Sequence, residues 1–236
     1  MNAMKYFLAL ASLFLLTTSC SNENEMNLSG NIEGLKRGTI LLQKIVDTSW
    51  VSVDSVVVDG NSVFEFSDIV DSPEQYFLFV RQEDGDLKDV RLPFFAEPGE
   101  LTIHSTIENL ALDAKITGSE NQALYKKYQK IMSRYNDRNL DLIEEALNAN
   151  VAGNDSLTEA LITKQQSNIR SKYLATVNFA MNNNDIELAP YLALSQIFDA
   201  NVTYLDTVYK TLTPRIKDSK YGKALDDYIK SSKEEN

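Results

Sequence analysis

Ile116-Thr117-Gly118-Ser119-Glu120-Asn121-Gln122 decides the fold, because the period of the apolar pattern changes inside it. Downstream, Ser119 and Gln122 have the spacing of a capping box. Leu124, Tyr128, Ile131 and Tyr135 then follow at intervals of four, three and four, one apolar stripe of a helix. A second helical stretch holds Leu140, Ile143, Ala146 and Leu147. After Gly153-Asn154, Ser156 with Glu159 repeats the capping box and opens a long helix to about Met181, carrying Leu157, Leu161, Ile169, Tyr173, Val177 and Ala180. Asn182-Asn183-Asn184 ends it. Shorter helices are predicted over 187–199, 202–212 and 221–230, before a charged tail Lys233-Glu234-Glu235-Asn236 that is expected to fray.

Upstream of Gly118 the runs are short and alternating, the strand pattern, over 27–32, 39–46, 50–58, 62–67, 75–81, 90–96, 100–105 and 112–117. Asp59-Gly60-Asn61 supplies residues that tolerate positive φ between Val56-Val57-Val58 and Val63-Phe64-Glu65-Phe66, and so predicts a hairpin. Glu97-Pro98-Gly99-Glu100 sets Pro and Gly at the two central positions of a type II turn. Glu83-Asp84-Gly85-Asp86 reads as a loop tip. The strand over 62–67 alternates imperfectly and is expected to be covered on both faces. Together these signals predict an α+β chain, with an antiparallel β-sandwich or barrel-like domain over 27–118 followed by a helical domain over 119–236. No repeat and no Gly/Ser-rich or Pro-rich linker separates the halves, so they should pack on each other.

Composition removes several function classes. Of the 236 residues, 43% are hydrophobic and 9% aromatic, enough for an ordinary core. A formal charge of −11 with no basic patch argues against nucleic acid, which needs a cationic surface. The single Cys excludes an intramolecular disulfide and a CxxC redox pair, and the single His excludes a multi-His metal centre within one chain. No metal and no cofactor are expected.

The amino terminus reads MNAMKYFLALASLFLLTTSC. Lys5 precedes an apolar run from Tyr6 to Leu16, too short to cross about 30 Å of hydrocarbon as a helix and shaped like a signal-peptide core. A buried first helix would carry polar residues at helical spacing, and only Ser12 interrupts the run. Thr17, Thr18 and Ser19 before Cys20 make the stretch over 1–19 resemble a bacterial lipoprotein signal, in which cleavage precedes the Cys and its thiol takes the lipid. Lipoboxes usually carry Leu where Thr17 stands, and here Leu16 lies one residue further back. Cleavage would remove Lys5 and no acid, leaving 22 bases against 34 acids, a side-chain charge of −12. Anionic headgroups repel such a body, so acyl chains such as palmitate on Cys20 must hold it to the membrane. Ser21, Asn22, Glu23, Asn24 and Glu25 then form an acidic tether over 20–26. It resembles the acidic export signals that follow the Cys of some outer-membrane lipoproteins, and it also reads as a plain solvated linker.

An ordered set of segments carries a wider resemblance: Leu28-Ser29-Gly30-Asn31-Ile32, Gly38-Thr39-Ile40-Leu41-Leu42-Gln43-Lys44, Val53-Asp54-Ser55-Val56, Val63-Phe64-Glu65-Phe66, Ala96-Glu97-Pro98-Gly99-Glu100-Leu101-Thr102-Ile103 and Ile116-Thr117-Gly118-Ser119-Glu120-Asn121. From Leu28 to Gln122 the chain resembles a domain of unknown function that precedes thioredoxin-like domains in envelope lipoproteins of Gram-negative bacteria. The resemblance implies a cell-envelope protein, at the outer membrane on its periplasmic face or at the cell surface, with a thioredoxin-like protein as a partner. It implies no catalytic residue, and no second Cys is present to carry thiol-disulfide chemistry.

The remaining chemistry is sparse. Along Leu101-Thr102-Ile103-His104-Ser105 the alternation puts His104 with Thr102 on the solvated face, and no nucleophile elbow accompanies it. Paired carboxylates could hydrolyse a glycoside, but 34 acids offer no way to choose a pair. Asp84-Gly85-Asp86 lacks the ligand spacing of a calcium loop. Nine of the eleven tyrosines fall in the helical half, where core or edge packing is the expectation and a protein or sugar contact surface the alternative. Asp54-Ser55-Val56, Asp155-Ser156-Leu157 and Asp206-Thr207-Val208 resemble Asp-Ser/Thr-aliphatic O-glycosylation sites. The expectation is a non-catalytic binding or scaffold module. The alternative is a carboxylate-dependent hydrolase acting on an envelope polymer or glycan.

Overall fold

The structure is a computed structural model that describes residues 22–83 and 91–234. The signal stretch over 1–19, Cys20, Ser21, the loop tip Asp84-Gly85-Asp86 and the last two residues of the tail lie outside the described residues.

Eight strands form two four-stranded sheets: β1 (Glu25–Glu33), β2 (Arg37–Val46), β3 (Ser49–Asp59), β4 (Val63–Ile69), β5 (Glu74–Gln82), β6 (Arg91–Ala96), β7 (Gly99–Thr106) and β8 (Lys115–Thr117). The first sheet runs β4-β1-β7-β8 and the second β3-β2-β5-β6. Period-two alternation explains the core: Met26, Leu28 and Ile32 of β1, Phe64 and Phe66 of β4, and Leu101 and Ile103 of β7 face Ile40, Leu42, Leu78, Val80, Leu92 and Phe94 of the second sheet.

The two-sheet sandwich is as expected, and four details differ. Asp59-Gly60-Asn61 makes a turn but no hairpin, because β3 pairs with β2 while β4 pairs with β1, so the turn carries the chain from one sheet to the other. Gly60 supplies the positive φ, 85°, and its N–H donates to Lys36 O, which anchors the turn on the β1–β2 link. The sandwich is antiparallel except at β1 and β7, which run parallel with Leu28 opposite Leu101, since the intervening strands return β7 from the other sheet in the same direction. β4 alternates cleanly and is covered on one face only: Phe64 and Phe66 are buried, and Val63, Glu65 and Ser67 are exposed. The expected strand over 112–117 shortens to Lys115–Thr117, because residues 107–113 turn and Ser105 Oγ donates to Leu110 O.

The change of period at Gly118 is real. Its φ is 96°, and an added Cβ would lie 2.1 Å from Glu100 O, so only glycine lets the chain leave β8 and enter a helix here. The helices are α1 (Glu120–Val151), α2 (Asp155–Asn182), α3 (Leu188–Gln196), α4 (Val202–Thr211), α5 (Pro214–Lys217) and α6 (Lys220–Glu234). The two predicted stretches after Ser119 are thus one helix of 32 residues, about 48 Å long. Asn154, not Ser156, caps α2, its side chain accepting from Leu157 N. Ser156 sits inside the first turn, where a cap has no role. α5 has no counterpart among the helices expected from the sequence, and α6 extends past both ends of the expected 221–230. α1 and α2 form an antiparallel hairpin whose proximal half is packed under α3 to α6 and whose distal half projects as a two-helix arm.

Candidate functional site

The sandwich and the helices meet in one polar and aromatic junction. Glu97, in the predicted β6–β7 turn, accepts from the backbone N–H of Glu120 and from Asn121 N at 3.3 Å, so its carboxylate caps α1 from outside the helix. Asn121 Nδ2 donates to Glu97 at 2.8 Å and to Glu187 at 3.4 Å, while its Oδ1 accepts from Leu188 N at 2.8 Å and so caps α3. Arg215 Nη1 donates to Glu187 at 2.6 Å. Ser119 caps α1 through Gln122 N, but Gln122 Oε1 reaches Phe95 N of β6 at 3.0 Å instead of returning to the cap. Half of the capping box is therefore spent on joining the two domains.

Phe95 lies at the centre of this junction, on the outer face of the second sheet and fully buried. It meets Tyr191 and Tyr125 edge to face, with centroids 5.0 and 5.8 Å apart, and Tyr191 continues to Tyr221 at 5.2 Å. Tyr221 OH accepts from Gln75 N of β5. Burial pushes the Tyr128 and Tyr191 hydroxyls up to about 12. These helical tyrosines pack, as the sequence predicts.

A second polar group bridges the sheets. Lys44 Nζ donates to Asp68 Oδ2 at 2.9 Å and to Tyr76 OH at 2.8 Å, and Tyr76 OH donates to Asp68 at 2.6 Å. Burial raises Asp68, but the Tyr76 and Lys44 hydrogen bonds and the Lys44 charge outweigh it and hold the carboxyl below its ordinary value. Burial and the Asp68 carboxylate push the Tyr76 hydroxyl well above the ordinary tyrosine value. Each member is answered by another, which describes a structural tie. His104 lies on the exposed face of β7, with Nδ1 2.5 Å from Asn31 Oδ1. Ser55 and Ser156 are exposed, and Thr207 Oγ1 donates to Thr203 O.

Two surfaces remain open. On the outer face of the second sheet, the Arg91 guanidinium stacks 4.3 Å from Trp50 and 4.6 Å from Phe79, and Arg91 Nε donates to Gln43 Oε1 at 3.1 Å. Trp50 also meets Phe77 edge to face. The larger surface is on the arm. The seam between α1 and α2 takes Leu142, Ala149 and Leu161. Leu140, Ile143 and Leu147, which the sequence places in its second helical stretch, are 65%, 43% and 61% exposed, and Ile162 of α2 is 43% exposed. Ile131, assigned to the apolar stripe, is exposed, and Met132 fills the seam in its place. Isolated exposed aliphatics are ordinary; a contiguous set on one face marks an interaction surface.

The residues read from the sequence as an anchor are distributed as follows. Cys20 and Ser21 lie outside the described residues. Asn22 O accepts from Glu25 N, Asn24 Nδ2 donates to Asp71 at 3.2 Å, and β1 begins at Glu25 with Met26 fully buried. Glu25 and Met26 are therefore part of the sandwich. Among the described residues no group of three or more His, Cys, Asp or Glu could hold a metal ion, and no helix is long and apolar enough to cross a membrane.

No curated protein matches the chain. A solved chain titled "pT26-6p" aligns at 11% identity and a TM-score of 0.23, over 84% of this chain and 42% of its own length, so the alignment spans less than half of that protein. Residues 26–125, which hold all of the sandwich but Glu25 together with Ser119, Asn121, Gln122 and Tyr125 of the junction, match the family model described as Domain of unknown function (DUF4369).

Proposed function

We propose that the chain is a non-catalytic, lipid-anchored protein of the cell envelope, held at the outer membrane through acyl chains on Cys20, on the periplasmic face or at the cell surface, and working as a binding or scaffold module. The observation that carries this reading is the open aliphatic face of the arm, Leu140, Ile143, Leu147 and Ile162, on a helical hairpin braced against the sandwich. A soluble protein with no partner has no use for such a face. The lipoprotein-like start and the mature charge of −12 support lipid, not charge, as the anchor. A thioredoxin-like envelope protein is the partner class that the resemblance favours. The hydrolase alternative needs two carboxylates free to face a substrate. Glu97 and Glu187, which converge on Asn121, are engaged by the N–H groups of α1, by Asn121 and by Arg215.

Cys20→Ala with membrane fractionation and intact mass of the wild type tests the anchor. The expected result is acyl mass on the wild-type protein and loss of the variant from membranes. An unchanged membrane fraction together with no acyl mass would overturn the lipoprotein reading.

A further inference from the structure

We infer that the open face of the arm is a groove for one helix of a partner protein, and that this helix is amphipathic with a basic polar side. The inference rests on the scaffold reading above and names the chemistry of the partner.

The first observation is continuity. Ile162, Ile169, Tyr173 and Ala180 recur on α2 at intervals of seven, four and seven, a single stripe. Tyr173 and Ala180 are covered by the cluster that includes Ala193 of α3 and Leu205 and Val208 of α4. Ile162 and Ile169 belong to the same stripe and are exposed. The chain therefore already lays its own helices on this face near the body and leaves the next length bare.

The second observation is that α1 contributes to the same side. Ile143 follows the seam residue Leu142 by one position, and Ile162 follows the seam residue Leu161 by one position, so each is turned by about 100° in the same sense. In antiparallel helices, equal rotations of the same sense bring both side chains to one side of the pair. Tyr128 OH against Thr176 Oγ1 and Asn168 Nδ2 on Tyr135 O set the register, which brings Ile143 level with Ile162. Leu147 and Leu140 lie four and three residues from Ile143 and are turned about 140° and about 160° from the seam, so they carry the apolar surface from Ile143 round toward the side of α1 that faces away from α2. From Leu140 to Leu147 the exposed aliphatics of α1 cover about 10 Å, about two turns of a docked helix. Backbone groups in both helices are paired internally, so the face offers side chains and no strand edge.

Charge selects the sign of the partner. Asp137 and Glu144 border the α1 row and Asp155 and Glu159 the α2 row, and among the described residues none of the four is in an ion pair. Residues 136–170 hold six acids and three bases. A second copy of the chain would set acid against acid, and an anionic lipid surface would be repelled. A helix with apolar residues at i, i+3 or i+4 and i+7, and Lys or Arg beside them, fits both the groove and its borders.

The test is titration calorimetry of the purified full chain with a synthetic Leu/Lys amphipathic helix and with a Leu/Glu helix of the same apolar pattern. The Leu/Lys peptide should bind and the Leu/Glu peptide should not. Ile143→Asp and Ile162→Asp should each weaken Leu/Lys binding about tenfold or more, with helical circular dichroism and melting temperature unchanged. Each variant adds a negative charge, so unspecific attraction would hold or strengthen. Retained or stronger binding in the Asp variants, equal binding of the two peptides, or no binding of either would overturn the inference. Those outcomes leave the scaffold reading standing if envelope partners still accompany the protein independently of the arm.

Discussion

Phe95→Ala probes whether the sandwich and the helices stabilise one another. The side chain is fully buried between Tyr125 and Tyr191, whose rings are themselves edge to face at 6.0 Å. That contact pins both neighbours, so the void left by the benzyl group can collapse only in part. A buried Phe→Ala change costs about 3–5 kcal/mol, and the poor collapse places this site toward the upper end. For a chain of this size each kcal/mol moves the melting temperature by about 2–4 °C, so a loss of about 8–20 °C is expected. The assay is urea unfolding followed by two probes. The only tryptophan, Trp50, reports the sandwich, and helical circular dichroism reports the other half. In the wild type the two transitions should coincide, and in Phe95→Ala the helical transition should fall to lower urea and drag or separate from that of Trp50. A change below about 1 kcal/mol, or wild-type transitions that are already separate, would refute a junction that couples the two parts.

Two further outcomes follow from the tie between the sheets and from the arm. Asp68 is held below its ordinary value in the folded state, so its contribution to stability is present above the unfolded carboxylate range and is lost as pH falls through the folded value. Asp68→Asn should therefore cost about 1–2 kcal/mol near neutral pH in urea unfolding, and that difference should shrink below about pH 4; a gap constant across the range would contradict the assignment. Leu142, 2% exposed in the seam, should cost about 2–5 kcal/mol when changed to Ala, whereas Leu147→Ala should stay within about 0.5 kcal/mol. Equal losses at the two sites would mean that the seam has been assigned to the wrong face.

Local signals in the sequence are legible where one element is enough to interpret them. Alternation along residues 99–106 puts Leu101 and Ile103 inward and His104 outward, and the structure agrees. Ser119 caps the helix that its spacing predicts. Alternation reports which face of a strand is buried but not which strand lies beside it, so the Asp59-Gly60-Asn61 turn looks like a hairpin although it joins two sheets. The same limit governs the arm. Leu140, Ile143 and Leu147 are periodic, but periodicity does not say whether an apolar face is covered, and the seam uses Leu142 and Ala149 instead. Ser156 and Asn154 are both competent caps, and only the start of α2 at Asp155 decides between them. The junction was hidden for a different reason. Glu97 sits in a turn that Pro98 and Gly99 announce, yet its role depends on Asn121 and, through it, on Glu187, which come together only when the chain has folded.

The central claim, a binding module acting through its arm, is tested most directly by affinity purification from the native membrane of the wild-type protein beside an Ile143→Asp/Ile162→Asp variant. The account predicts at least one envelope protein that accompanies the wild type and is lost from the variant while the amount of folded bait stays the same. Recovery of no partner above background with the wild type, or the same partners in equal yield with the variant, would contradict it.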